Sequence, residues 1–403
     1  MSAWKDIVLG LLLAVSAGLL SYAGASQIDR ELLNVDDVWF QADIKRVYSN
    51  MTNRWANHYR ATVHPLFSLT TFATVRALQA ALRIDGMTAV RITCGMVASF
   101  WTIALFVLFR HLGCRRFDAS LFCLVALCSA SAVFWFVVPE TYALGSLAIL
   151  LALNLAAAAE THTPSQWHYI AVSAATLSFT VTNWMAGLVA TVVSHPWRTA
   201  VRISLLALAL VLGLWGVQRV FFPSSGFTLS TKGEMTYTMR ANPLSVVNAF
   251  ALHSMVMPTV RIVPGETPEQ PVMSVQRSWP GSGSAWGMIA TGAWIGLLGL
   301  GIWSTWSLTS HRQFRLVLGL TLAGQLILHL LYSEETFLYS LHYGPLLVVL
   351  AGLGILTRVR IITLSLAGVL LLSVGVNNWV QYQKVLELFP QYMSHGVVDR
   401  ISK

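Results

Sequence analysis

The stretch HPLFSLTTFATVRALQAAL, His64 to Leu82, decides how the whole chain is threaded. It is apolar and close to the roughly 20 residues that a spanning helix needs. Were it to cross a bilayer, every later segment would change sides, and Arg110, Arg115 and Arg116 would part from the other basic turns. Arg76 in its middle would also have to sit in hydrocarbon, which is costly. The stretch therefore reads as an interfacial or re-entrant helix, and that reading sets the parity of everything after it.

The chain around it has the composition of a membrane protein. Apolar residues make up 55% and charged residues 11%, against roughly 25% charged in soluble domains, and mean hydropathy is +0.63. The fold class expected is an all-α polytopic bundle of about 11 transmembrane helices, at 7–24, 92–110, 118–138, 141–160, 167–182, 184–195, 203–222, 284–304, 316–332, 338–357 and 361–380. The pair flanking Asn183 is short and reads as two helices meeting near one membrane face. The opening WKDIVLG has the charged start of a signal peptide, but the many spans that follow favour a retained first helix.

Lys5, the Arg110–Arg116 turn, Arg198 and Arg202, Arg312 and Arg315, and Arg358 and Arg360 fall on one side if these spans alternate. The positive-inside tendency names that side cytoplasmic. It also accounts for the net charge of +9 without nucleic acid, since no basic block or RNA-binding motif occurs. The four cysteines, Cys94, Cys114, Cys123 and Cys128, show no metal or CxxC spacing and read as small core residues.

One transmembrane domain, 1–403, is expected. Its outer side carries a first loop at 25–91 with juxtamembrane helices, a second loop at 223–283, and a C-terminal segment at 381–403. The second loop is punctuated by PSSG, VPGETPEQP and WPGSGS, turn-rich chemistry that argues against a large folded soluble domain. On that side the charges are few and sorted: Asp36, Asp37 and Asp43 in NVDDVWFQAD, then His64, Glu140, Glu334, Glu335, His342 and Tyr343. Basic residues Lys232, Arg240, Arg261 and Arg277 lie in the second loop.

An acidic pair just after the first span, a later HPL at 64–66 and a PETYAL at 139–144 resemble the integral-membrane glycosyltransferases of the C-type fold (GT-C). Leu66 stands where related mannosyltransferases carry a second proline, and no large soluble C-terminal domain follows. The resemblance implies sugar transfer from a polyprenyl-phosphate donor at the outer boundary of the membrane, with the base at Asp37 or Asp36. The acceptor would be a glycolipid, a lipid-linked oligosaccharide or an exported protein, and the setting a bacterial inner membrane facing the periplasm.

The residue inventory suits such chemistry. A positioned carboxylate can take the proton of an attacking sugar hydroxyl while the lipid phosphate leaves from the opposite face. A cation on the leaving side offsets the charge that develops there. The expected site is thus Asp37 and Asp36 as base, with Glu140 and His64 as second acid or acceptor contacts. Arg240, His342, Tyr343, Lys232 and Arg277 are the expected phosphate contacts. A monophosphate donor needs no metal to offset a pyrophosphate, so no cofactor is expected; a divalent ion, if used, would meet Glu140.

Each residue also has a plain alternative. Asp36 and Asp37 suit helix capping, with Trp39 and Phe40 after them suited to holding a helix at the interface; Glu140 complements a helix start, His64 suits a helix boundary, and loop arginines suit lipid headgroups. Asp43 reads as a solvated-face residue, and Asn183 as satisfying the backbone at a helix break. The competing functions are a transporter or lipid flippase, which usually buries ionisable groups mid-span, and a non-catalytic assembly or export subunit.

Overall fold

The computed structural model describes residues 3–31, 37–227, 238, 241–264, 272–332 and 335–401, with side chains to Leu388. In chain order the α-helices are α1 (Ala3–Gln27), α2 (Ile44–Thr52), α3 (Phe67–Leu82), α4 (Gly86–His111), α5 (Arg116–Leu127), α6 (Ala130–Trp135) and α7 (Tyr142–Ala159). There follow α8 (Gln166–Phe179), α9 (Trp184–Ser194), α10 (Trp197–Phe221), α11 (Pro243–Asn248), α12 (Ala285–Ser307), α13 (Arg312–Leu331), α14 (Ser340–Gly352) and α15 (Arg360–Ile401). A two-stranded antiparallel hairpin, β1 (Arg261–Val263) and β2 (Val272–Ser274), is the only sheet among the described residues.

The chain is a polytopic helical protein: among the described residues, eight helical segments are long and apolar enough to cross a membrane. These are α1, α4, α7, α10, α12, α13, Thr336–Leu356 around α14, and Arg360–Leu388 of α15. The remaining expected spans also fall on helices, but broken or short ones. The third divides into α5 and α6 at Ser129, whose side chain caps α6 by accepting from Ala132 N. The backbone freed there is satisfied from elsewhere: Ala130 N donates to Met255 O, and Asn378 Nδ2 to Cys128 O. Exposed backbone groups are not tolerated in lipid, so a broken helix needs such partners.

The pair at Asn183 breaks in the same way. Thr180 is extended and begins a 3-10 turn, Val181–Asn183, that joins α8 to α9. Leu66 N donates to Ser178 O and Val181 N to Val63 O. These two bonds lash residues 63–66 of the first loop onto the break, and that is what brings His64 into the bundle.

The deciding stretch forms α3, whose 16 residues make a helix about 24 Å long, short of the ~30 Å hydrocarbon thickness. Arg76 is exposed and lies over the Phe72 ring at 6.0 Å. Arg83 closes α3 in the left-handed region, and Asp85 caps α4 by accepting from Thr88 N at 3.1 Å. Val47, Met51, Phe67, Val75, Ala89 and Val90 pack α2 and α3 onto α4 as one apolar cluster.

Two features differ from the sequence expectation. Aromatic residues after Asp37 do not lie along an interface: Trp39 and Phe40 are buried, and Trp39 Nε1 donates to Phe134 O at 3.2 Å. Left-handed Asp37, Phe40 and Gln41 form a tight turn, with Gln41 N donating to Asp37 O, which drives these rings against Phe134, Trp135 and Phe337. The segment expected as an outer tail from 381 is instead a continuation of α15, helical to Ile401. Polar contacts hold its upper part, Tyr382 Oη donating to Gly24 O and Gln381 Nε2 to Gly283 O.

Candidate active site at the Glu140 end

Glu140 follows the last turn of α6 and precedes α7, held there by Pro139. It is buried, and both carboxylate oxygens are occupied: Oε1 accepts from Asp43 N at 3.3 Å, and Oε2 from Thr141 N and from Thr141 Oγ1 at 3.1 Å. Burial, and then the Asp43 charge, push its carboxyl up to about 7, against the opposing pull of Arg46. Asp43 is ion-paired with Arg46. The solvated-face expectation for Asp43 is therefore wrong in position: α2 starts beside Glu140 and carries Asp43 there.

From Glu140 the polar contacts continue to His64. Thr141 Oγ1 lies 3.3 Å from His64 Nε2, and His64 Nδ1 donates to Phe179 O at 2.7 Å. A carbonyl can only accept, so this bond assigns the proton to Nδ1 and leaves the Nε2 lone pair toward Thr141. Burial holds the imidazole down at about 3, with Arg60 and Arg46 adding to the effect. A neutral imidazole and a carboxyl poised near 7 therefore sit on either side of one threonine hydroxyl.

Two cavities flank this chain of contacts. One, about 930 Å³ counting its open mouth, is walled by Arg60, His64, Tyr142, Thr180, His329 and His342, with Tyr332 and Tyr339. Its rings touch in series: Tyr142 lies 5.3 Å from His342 and 5.0 Å from Tyr339, which lies 5.0 Å from His329. The other is only a crevice, with room of about 20 Å³, between α2, α3, α4 and α7. It is apolar, with Met51, Phe67, Val97 and Leu144, and Glu140 in its wall. Glu140 thus belongs to the smaller cavity and reaches the larger one through Thr141 and His64.

Of the residues expected from sequence, Glu140, His64 and His342 come together here. Asp37 forms the tight turn described above and is in neither cavity wall. Tyr343 is buried away from the larger cavity, stacked on Phe250 with its hydroxyl donating to Thr336 O at 2.9 Å. Arg277 is exposed after β2. Asp36, Lys232 and Arg240 lie outside the described residues, although Thr238 bridges to Tyr332 of the cavity wall. Among the described residues no cluster of His, Cys, Asp and Glu suits a metal ion.

The residues that sequence reasoning missed are Arg60, Tyr142, Thr180, Gln325 and His329. A signal for the last two is present: Thr321, Gln325 and His329 recur every four residues on one face of α13 and are all buried. Glu335 was noted only as a boundary charge. It is buried, accepts from Ser274 Oγ at 2.5 Å, and is pushed up to about 7 by that burial. With Gln276, which both donates to and accepts from Thr336, this contact fastens the hairpin to the start of α14.

A scan against protein-family models gives no match for this chain, and a search of curated proteins gives none either.

Proposed function

We propose that the protein is an inverting glycosyltransferase that moves a sugar from a polyprenyl-phosphate carrier to an acceptor hydroxyl. In this reading α5–α6, α8 and α9 are three further crossings, giving eleven, and the Glu140 end faces the periplasm of a bacterial inner membrane. The observation that carries it is Glu140, a buried carboxyl poised near 7 in the wall of an apolar crevice and joined through Thr141 and His64 to the larger cavity. A transferase has two substrates to bring to one base; the larger cavity has room for one of them, and the crevice is where the other would have to part the helices.

The larger cavity takes the donor. Arg60 in its wall is suited to a phosphate oxygen because its planar fork donates paired hydrogen bonds. A lipid-borne acceptor reaches Glu140 along the apolar crevice, which has to widen to admit it. The acceptor oxygen forms a bond to the anomeric carbon as its proton passes to the Glu140 carboxylate. The bond from that carbon to the phosphate oxygen breaks, and the polyprenyl phosphate leaves with the electron pair. Asp43 helps by keeping the Glu140 pKa near the working pH, where a general base is most effective. Asp37 passes from first candidate to a positioning residue for the aromatic turn.

One observation favours the transporter reading instead: the stripe Thr321, Gln325 and His329 continues along α13 away from the cavity. The test is transfer by purified protein in nanodiscs, with polyprenyl-phosphate sugars and envelope glycolipid extract, followed by mass spectrometry beside Glu140→Gln, Asp43→Asn and Asp37→Asn. Transfer that fails in Glu140→Gln alone supports the reading. Absence of transfer by the wild type, with donor moved across liposome membranes, overturns it in favour of transport.

A further inference from the structure

We infer that Thr180, Asn183, Gln325, His329 and His342 form a recognition subsite for an uncharged, polyhydroxylated sugar ring, and that it rejects sugars bearing a carboxylate or an amine. This rests on the proposed transferase reading only for the molecule that delivers the sugar; the subsite is argued from its own atoms.

Those atoms are buried and incompletely paired. Asn183 Nδ2, His342 Nε2, both ring nitrogens of His329 and Gln325 Oε1 have no hydrogen-bond partner among the described residues, and all four side chains are at most 2% exposed. A single contact links them, Gln325 Nε2 donating to Asn183 Oδ1 at 3.0 Å. Buried polar atoms left without partners are costly; His329 and His342, with Thr180, are in the wall of the larger cavity, and Asn183 and Gln325 adjoin them from outside that wall, Asn183 beside the same glycine as His342.

Gly145 of α7 makes the gathering possible. A Cβ there would meet His342 Nε2 at 2.7 Å, Asn183 Nδ2 at 2.8 Å and Thr180 Oγ1 at 3.1 Å. Three polar atoms from two elements, the α8–α9 break and α14, therefore converge on the glycine. The set holds no Lys, Arg, Asp or Glu, and among the described residues no carboxylate bonds either imidazole. A sugar hydroxyl both donates and accepts, so it can complete an amide N–H, an amide oxygen or an imidazole alike. A carboxylate or ammonium would lose its water here without gaining an opposite charge. Tyr142 and Tyr339 provide ring faces in the same wall as His342, and Arg60, the one permanent charge in the described cavity wall, comes from the first loop rather than from this set.

The test is binding to protein in nanodiscs by microscale thermophoresis. The probes are geranyl phosphate, geranyl-phosphoryl glucose, mannose and galactose, and geranyl-phosphoryl glucosamine and glucuronate. At least one neutral sugar is expected to bind about tenfold tighter than bare geranyl phosphate and than both charged sugars, the worth of one or two buried hydrogen bonds. Asn183→Ala and Gly145→Ala should reduce that preference to within about twofold while leaving bare geranyl phosphate unchanged, which also reports that they are folded. Gln325→Glu should shift the preference toward glucosamine, a gain that misfolding cannot mimic.

Equal binding of neutral and charged sugars would overturn the subsite, as would a preference that survives in all three variants. Either result would leave the unpaired atoms to ordered water or to a transported solute. A wild type that prefers a neutral sugar but never transfers it would refute the transferase and keep the subsite. Transfer without any sugar preference would refute the subsite alone.

Discussion

Two helix seams in this molecule use the same device to opposite ends. Between α1 and α4, Gly18 and Gly95 let backbone meet backbone: a Cβ on Gly95 would lie 2.9 Å from Gly18 O, and one on Gly18 would lie 3.1 Å from Gly95 O. The polar group nearby is satisfied, Ser99 Oγ donating to Ala14 O at 2.7 Å. Small residues spaced four apart commonly bring membrane helices together in this way. Between α7, α9, α13 and α14, Gly145 admits polar atoms instead, and two of them, Asn183 Nδ2 and His342 Nε2, lack partners among the described residues. The first seam closes the fold; on the proposed reading the second is completed by a ligand. A closed seam should show its mutations in stability, and an open one in binding and rate.

The sharpest break between them is Glu140→Gln. The amide keeps the shape but cannot accept a proton, so transfer should fall by about 10²- to 10⁴-fold with the thermal midpoint unchanged or raised. Equal loss of transfer in Asp37→Asn, measured in the same assay, would return the base to the first candidate.

The pH dependence of Glu140 follows with a definite sign. Its folded pKa of about 7 lies above the ordinary 4.5, so the folded state favours the protonated acid. Stability from this group is complete below pH 4.5 and is lost as pH rises through 7, by about 3 kcal/mol in all. Glu335 has the same sign, and His64, held low, loses stability as pH falls below 6.5. The difference between wild type and Glu140→Gln isolates the first: it should grow from pH 5 to pH 8 in thermal unfolding. Transfer per folded molecule should rise over the same range, because only the ionised carboxylate is a base. A flat stability difference would show that Glu140 is not buried as described.

How much of this was legible in the sequence can be judged at these residues. The expected spans fall on helices because apolar runs near 20 residues leave a backbone little choice in lipid. The α3 helix was readable from one arginine, Arg76, and the α8–α9 break from one asparagine, Asn183. Averaged hydropathy hid the rest. Gln325 and His329 disappear inside the run LTLAGQLILHLL unless every fourth residue is followed. The Asp43–Glu140 contact joins positions 97 residues apart, and no local pattern specifies it. The left-handed turn at Asp37, Phe40 and Gln41 contains no glycine to announce it. Two aromatic residues in such a setting read as an interfacial belt, whereas packing with Phe134 and Phe337 takes them inside.

Gly95→Val probes the closed seam. The added side chain would strike Gly18 backbone, which cannot rotate away, and overpacking of this kind costs about 1–3 kcal/mol. The thermal midpoint should drop while the affinity of the folded fraction for geranyl phosphate stays that of wild type. Reduced affinity at an unchanged midpoint would mean that α1 and α4 also shape the site, and the division of labour between the seams would fail.

The smallest effect is expected at the end of the bundle opposite Glu140. There Asp6 at the start of α1 pairs with Arg110 and Arg116, at 3.1 Å and 2.7 Å. All three side chains are part exposed and solvent screens them. An exposed pair is worth roughly 0–1 kcal/mol. Asp6→Asn should therefore lower the thermal midpoint only slightly, and less still in high salt, with transfer untouched. Asp6 finds its partners here, as the polar groups of the α1–α4 seam do. A loss of transfer in Asp6→Asn, measured with folding unchanged, would mean that the two ends are coupled, for which α1 would be the direct route.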